Sequence, residues 1–247
     1  MSLLELRRPR TAGELFRDVW AVFTSHAGLF VLLSAAVAIP AEVIVEGIGQ
    51  SKLTGAYDST PSAADQIVPA VVGVLVVSPI ISAICIYALH AIAAGQRPAA
   101  GEVFVAGFEA FTPLFAALVI AAVGVVLGFV AFIVPGVFLL VRWYFVPQTV
   151  VIEGARGTSA LSRSFRLVQG RWWRTFGLVV LANVSILLPG LLLLVPFTAI
   201  AESTDRAVWE VIGSIVATSI TTPFVALYST LLYYDLAARA AAPPTAP

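Results

Sequence analysis

Three charged residues lie inside long apolar runs, and they are where chemistry is sought first. Arg142 sits in GVFLLVRWYF, and Glu42 and Glu46 sit in PAEVIVEGIG. A charge within a membrane helix costs about +2.5 to +3.5 kcal/mol on insertion scales, so each needs a partner or a task. Glu42 and Glu46 are one turn apart and share a helix face. Arg142, six residues beyond Gly136, falls about 9 Å below the outer end of its run at about 1.5 Å per residue. The two glutamates lie at a comparable depth. The expectation is therefore a pair between Arg142 and Glu42, or alternatively Glu46. Such a pair either fixes helix packing or forms a site for an anionic group such as a lipid phosphate.

A second basic group is Arg163, Arg166, Arg171 and Arg174 in SRSFRLVQGRWWR. At helical spacing Leu161, Phe165, Val168 and Trp172 form an apolar stripe, with these arginines on or beside the opposite face. A helix of this kind lies in the membrane interface with arginines among the headgroups. Each basic residue near an anionic leaflet contributes about 1 kcal/mol. These four are candidate lipid-headgroup contacts, set against the plainer reading that the helix only anchors the bundle and turns the chain. Glu153 is expected to pair with Arg156 or Arg163, or to cap the following helix together with Thr158 and Ser159.

Other chemistry finds little material. The two histidines, His26 and His90, and the single Cys85 supply neither a metal set nor a disulfide framework. Phosphate-binding loops, nucleophile elbows and zinc-helix motifs are absent from the sequence. No catalytic residue, cofactor or metal is expected, and the protein reads as a non-enzyme. His90, Tyr233, Tyr234 and Asp235 fall near one membrane surface, where aromatic residues are enriched anyway, and receive no role.

The elements that must position these residues follow from composition. Of 247 residues, 60% are hydrophobic and 11% charged, against about 25% charged in an ordinary soluble domain. The net charge is zero, which offers no field for nucleic acid. The low charge and a mean hydropathy of +0.97 call for membrane spans of about 20 residues. Six are expected, at about 27–48, 67–93, 113–134, 136–152, 176–200 and 208–237. The third and fourth should turn at Pro135-Gly136, and breaks are expected at Pro40, Pro79, Pro147, Pro189, Pro196 and Pro223. The segment before the first span lacks a signal-peptide layout and reads as part of the protein.

With six spans, Arg7, Arg8, Arg10, Arg17, Arg97, Arg156, Arg163, Arg166, Arg171, Arg174 and Arg239 share one side. Only Lys52 and Arg206 lie on the other. That asymmetry predicts cytoplasmic termini. Three segments before the odd-numbered spans also look alike: GELFRDVWAVF, GEVFVAGFEAF and SRSFRLVQGRW. They align Phe16, Phe104 and Phe165, then Phe23, Phe111 and Trp172. Pro40 aligns with Pro189, Pro79 with Pro223, and Pro98 with Pro243. The expected unit is an amphipathic elbow plus two spans, repeated at about 12–98, 99–157 and 158–239 within a single domain of 1–247, with a flexible tail at 240–247.

The stretch from Pro135 to Gly177 resembles a bacterial and archaeal group of six-span membrane proteins. That group includes the membrane domain fused to some glycerophosphoryl diester phosphodiesterases and the YciC-like proteins. Pro135, Gly136, Arg142, Pro147, Glu153, Ala160, Leu161, Ser164, Leu167, Gly170 and Trp173 carry the likeness. It implies fold and location rather than a reaction, and the paired histidines of the phosphodiesterase domain have no counterpart here. The reading is an all-α polytopic protein of the bacterial cytoplasmic membrane. It contacts lipids, anionic ones among them, or supports a membrane partner or a second copy. The alternative is a small transporter or channel for a lipid-like or anionic solute.

Overall fold

The computed structural model describes residues 6–58, 60 and 62–241, and the described chain is helical with no strand. Six helical segments are long and apolar enough to cross a membrane: Ala27–Ile48, Ala63–Ala93, Phe111–Ala131, Ile133–Glu153, Trp172–Thr204 and Val208–Ala241. In hydrocarbon the backbone can bond only to itself, so helix is the conformation available to such segments.

Helix α1 (Ala12–Ser25) opens with a capping box, in which the Thr11 hydroxyl accepts from the Glu14 N–H while Glu14 accepts from the Thr11 N–H. These bonds hold the Glu14 carboxyl below the usual carboxylate range. Helix α2 (Ala27–Glu42) runs through Pro40 into a π-helical turn, Val43–Ile48. Span two is α3 (Ala63–Val72), a π turn (Gly73–Val77) and α4 (Ser78–Ala93), with Pro79 in the first turn of α4. Then come α5 (Ala100–Glu109), α6 (Phe111–Ala131), α7 (Ile133–Arg142), α8 (Val146–Glu153), α9 (Thr158–Val168), α10 (Trp172–Thr204) and α11 (Val208–Ala241).

Several expectations are corrected. The turn between spans three and four is at Phe132, which alone is extended (φ −168°, ψ 157°). Pro135 and Gly136 lie inside the first turn of α7, where the missing proline N–H has no helical partner to lose. Pro189, Pro196 and Pro223 sit within unbroken helices, whereas Pro147 does start a new one, α8. Residues 240 and 241, expected in a flexible tail, belong to α11, which runs to Ala241. The rest of that tail, Pro243 included, lies outside the described residues.

The short helices α1, α5 and α9 precede spans one, three and five, but they pack on the bundle. Leu15, Val19 and Val22 of α1 are buried in the core, while Phe16, Trp20 and Phe23 surround Phe224 of α11. The end of α5 folds back along α4, with Gly107 against Ile84. Of the aligned aromatic trio, Phe23 lies in α1, whereas Phe111 and Trp172 open the spans α6 and α10. The core gathers on the second half of α11, where Leu227, Tyr228, Leu231, Leu232 and Leu236 are buried against Phe30, Ile81, Ile84 and Phe145. Helix α10 and the α6–α7 hairpin lie at the periphery, with 17% and 22% of the apolar windows of α10 and α6 buried.

Without a hydrophobic drive between helices in lipid, close contact rests on small residues. The Gly124–Gly128 pair of α6 serves the internal hairpin. A Cβ added at Gly128 would stand 3.0 Å from the Gly136 Cα, and one at Gly124 would meet the Trp143 ring. Gly128→Leu should therefore cost about 1–3 kcal/mol through overpacking. Gly177→Ala, which meets nothing within 4 Å, should leave stability unchanged or slightly higher. Denaturant titration in mixed micelles, followed by tryptophan fluorescence, measures both. Equal tolerance of the two would show that the hairpin does not pack on this glycine seam.

Candidate functional site

Arg142 is the last residue of α7, where span four breaks at Trp143–Tyr144–Phe145 before resuming at Val146, with Pro147 in the first turn. Proline cannot donate to the carbonyl four residues back, so the ladder must be mended from elsewhere. Ser164 of α9 mends it. Its buried hydroxyl accepts from the Phe145 N–H (3.2 Å) and donates to the Arg142 carbonyl (2.7 Å). Thr149 donates to the Ala160 carbonyl (3.2 Å). Helix α9 thus runs antiparallel along span four, with residue 160 beside 149, 164 beside 145 and 165 beside 142. Leu161 and Val168 of its apolar face are buried in the bundle.

This packing decides the surroundings of Arg142. The guanidinium carbon lies 4.2 Å from the Phe165 ring centroid and 5.0 Å from that of Phe138, within cation–π range. Nη1 donates to the Phe165 carbonyl (2.9 Å). Nε is buried with no partner among the described residues. Phe138 stacks on Trp172, which stacks on Phe176, and Trp173 beside them is 79% exposed. No ion pair joins Arg142 to a carboxylate among the described residues.

The expected pair with Glu42 or Glu46 is not formed. Glu42 accepts from the Thr218 hydroxyl (3.4 Å), and Glu46 pairs with Lys52 (3.5 Å), which also reaches Glu210 (3.1 Å). The glutamates therefore belong to the end of the bundle that carries the segment 49–58. Arg142 belongs with α9 and the start of α10. The depth count started from Gly136, four residues beyond the actual turn at Phe132, and took no account of α9 rising to meet Arg142. At Lys52, burial works against the charge, but Glu46 and Glu210 outweigh it and hold its pKa above the usual lysine value.

The four headgroup candidates separate. Arg163 pairs with Glu153 (2.7 Å), one of the two partners expected for Glu153. Arg171 donates to the Arg239 carbonyl (2.7 Å). Arg174 donates to the Arg10 carbonyl (2.7 Å) and to Asp235 (3.1 Å). Only Arg166 of the four is exposed with no side-chain partner among the described residues, one position from Phe165. Ser159 caps its own loop, accepting from the Arg156 N–H (3.0 Å).

The sequence reading missed the densest polar cluster. Asp235, wholly buried, accepts from the Arg10 N–H (2.6 Å), from Arg239 Nε (2.9 Å) and from Arg174. The Arg10 side chain, also buried, pairs with Asp18 (3.0 Å), which Arg8 reaches as well (2.6 Å). Beside it the Tyr233 hydroxyl donates to Glu153, and His90 Nε2 bonds the Tyr234 hydroxyl. The readable signal was local: Asp235 and Arg239 stand four apart at the end of an apolar run.

Compared with known families, the chain matches over residues 19–236 the one described as "Domain of unknown function (DUF7847)". No curated protein and no solved structure matches it. The Asp235 cluster carries a direct test. Asp235→Asn keeps the shape but leaves Arg174 and Arg239 without their buried anion, a loss of about 3–5 kcal/mol. Limited proteolysis should then cut near Arg10 and Arg17 well before the rest of the chain. Protection equal to wild type would mean that Asp235 does not hold the N-terminal segment.

Proposed function

The chain belongs to the DUF7847 family, and we propose that it is a non-enzymatic integral membrane protein that binds anionic phospholipid of the cytoplasmic leaflet at Arg142. One observation carries this reading: a guanidinium at the broken span, packed on Phe138 and Phe165, with no carboxylate paired to it among the described residues. A cation held within a span is too costly to leave without an anion. A phosphate matches the planar fork of a guanidinium. Arg142 is partly exposed, so a headgroup can reach it. Arg166 adds a second free guanidinium next to Phe165, and Trp173 offers the amphipathic ring favoured at the membrane surface.

The wider setting follows from the sequence. The arginine asymmetry supports cytoplasmic termini in a bacterial inner membrane, and the short helices before spans one, three and five support three related units. The likeness to the membrane domain of glycerophosphoryl diester phosphodiesterases and YciC-like proteins supports a shared layout. The transport alternative needs Arg142 and Glu42 around one pathway. Their contacts with different elements remove that support.

Native mass spectrometry on the full chain, with phosphatidylglycerol and phosphatidylethanolamine offered together, tests the proposal. Wild type should retain phosphatidylglycerol preferentially. Arg142→Gln should weaken that retention about 10- to 100-fold, the range for a hydrogen bond to a charged group, and Arg166→Gln by less. Arg142→Lys keeps charge without the fork and should fall between. Equal retention of both lipids by wild type, or undiminished retention by Arg142→Gln, would overturn it.

A further inference from the structure

Asn183 is a carboxamide on the lipid-facing side of the least covered helix. It lies eleven residues into α10, about 16 Å from its start at about 1.5 Å per residue, near the middle of a hydrocarbon core of about 30 Å. Around it Val180, Val184, Leu187 and Leu188 are exposed and apolar, as lipid contact requires. Asn183 is exposed too. Its Nδ2 donates to the Val179 carbonyl (2.8 Å). Its Oδ1 and second N–H have no partner among the described residues. In hydrocarbon such groups cost several kcal/mol each unless another chain supplies the bonds.

The surroundings are shaped for another chain. Asn183 borders a lateral crevice of about 500 Å³ between α10 and α11, whose wall also carries Gly190, Ser214, Thr218 and Thr221. A Cβ at Gly190 would meet only Thr221 Cγ2, at 3.6 Å, so the glycine leaves a notch at which a backbone can come close. An acyl chain could fill the volume but offers no donor or acceptor. A carboxamide offers one of each, so two copies of Asn183 across a two-fold axis exchange both bonds, as isologous interfaces require.

We propose that the chain forms a homodimer through the α10–α11 crevice, with Asn183 paired to Asn183 of a second copy at the bilayer centre. This is independent of lipid binding at Arg142, which lies on α7.

Donor- and acceptor-labelled full-length chains in phosphatidylethanolamine–phosphatidylglycerol liposomes, diluted with lipid, test it by energy transfer. Wild type should associate. Asn183→Leu should need about 3- to 20-fold higher protein density for the same transfer, the range measured for hydrogen bonds between membrane helices. Asn183→Gln should stay near wild type. A Leu187→Cys chain should cross-link to its own kind on oxidation, and Val126→Cys on α6 should not. Random-proximity transfer in wild type, undiminished association of Asn183→Leu, or cross-linking at Val126 rather than Leu187 would each overturn the dimer. So would a monomer that retains lipid in an Asn183-dependent way, since the occupant would then be lipid.

Discussion

The Asp235 carboxylate joins three pieces of chain that the sequence holds far apart. It takes the Arg10 N–H from the segment before α1, Arg174 from the first turn of α10 and Arg239 from the last turn of α11. The Arg10 carbonyl in turn accepts from Arg174 (2.7 Å) and Arg239 (2.9 Å), so both arginines bridge the same two acceptors. A buried carboxylate tolerates such a place only when its lone pairs are all engaged, and here the engagement fixes a register. With α10 and α11 pinned at one end, their long antiparallel contact follows. With residue 10 pinned beside residue 235, α1 lies across Phe224.

The same logic of mending explains the fourth span. Pro147 and three consecutive aromatic residues make a straight helix through 143–145 unfavourable, and each freed backbone group must find a bond inside the protein. Ser164 supplies two at once, which requires α9 to stand against span four. Once it does, Phe165 and Phe138 bracket Arg142. The unusual place of the guanidinium is thus a consequence of how the break is repaired.

Much of this was legible in the residues, and the boundary of legibility is physical. All six spans show in the sequence, because length and apolarity alone decide what a bilayer accepts. The sorting of arginines to one side was equally local. What failed was inference across sequence distance. Pro135-Gly136 reads as a turn by composition, yet proline suits a first helical turn as well, and the extended residue is Phe132. Arg142 and Glu42 match in depth only if the chain turns at Pro135-Gly136 and no other helix packs on span four. Asp235 passed for interface decoration because its partners, Arg10 and Arg174, lie 225 and 61 residues away. The apolar positions of α1 recur at helical spacing but divide in use: Leu15 and Val19 enter the core, while Trp20 stays 56% exposed.

That division points to where function resides. The two most buried charges, Arg10 and Asp235, are both bonded, and Lys52 is shared between Glu46 and Glu210. Three polar groups with unspent bonding capacity, Arg142, Arg166 and Asn183, are at least partly exposed. A guanidinium and a carboxamide ask for different partners. The first seeks an anion, which a membrane supplies at its surface, and Arg142 lies near that end of the bundle through its contacts with α9. The second seeks a matched donor and acceptor, which hydrocarbon never supplies, and Asn183 lies mid-span. On the two proposals above the groups have separate roles: Arg142 takes a headgroup anion, and Asn183 pairs with another chain.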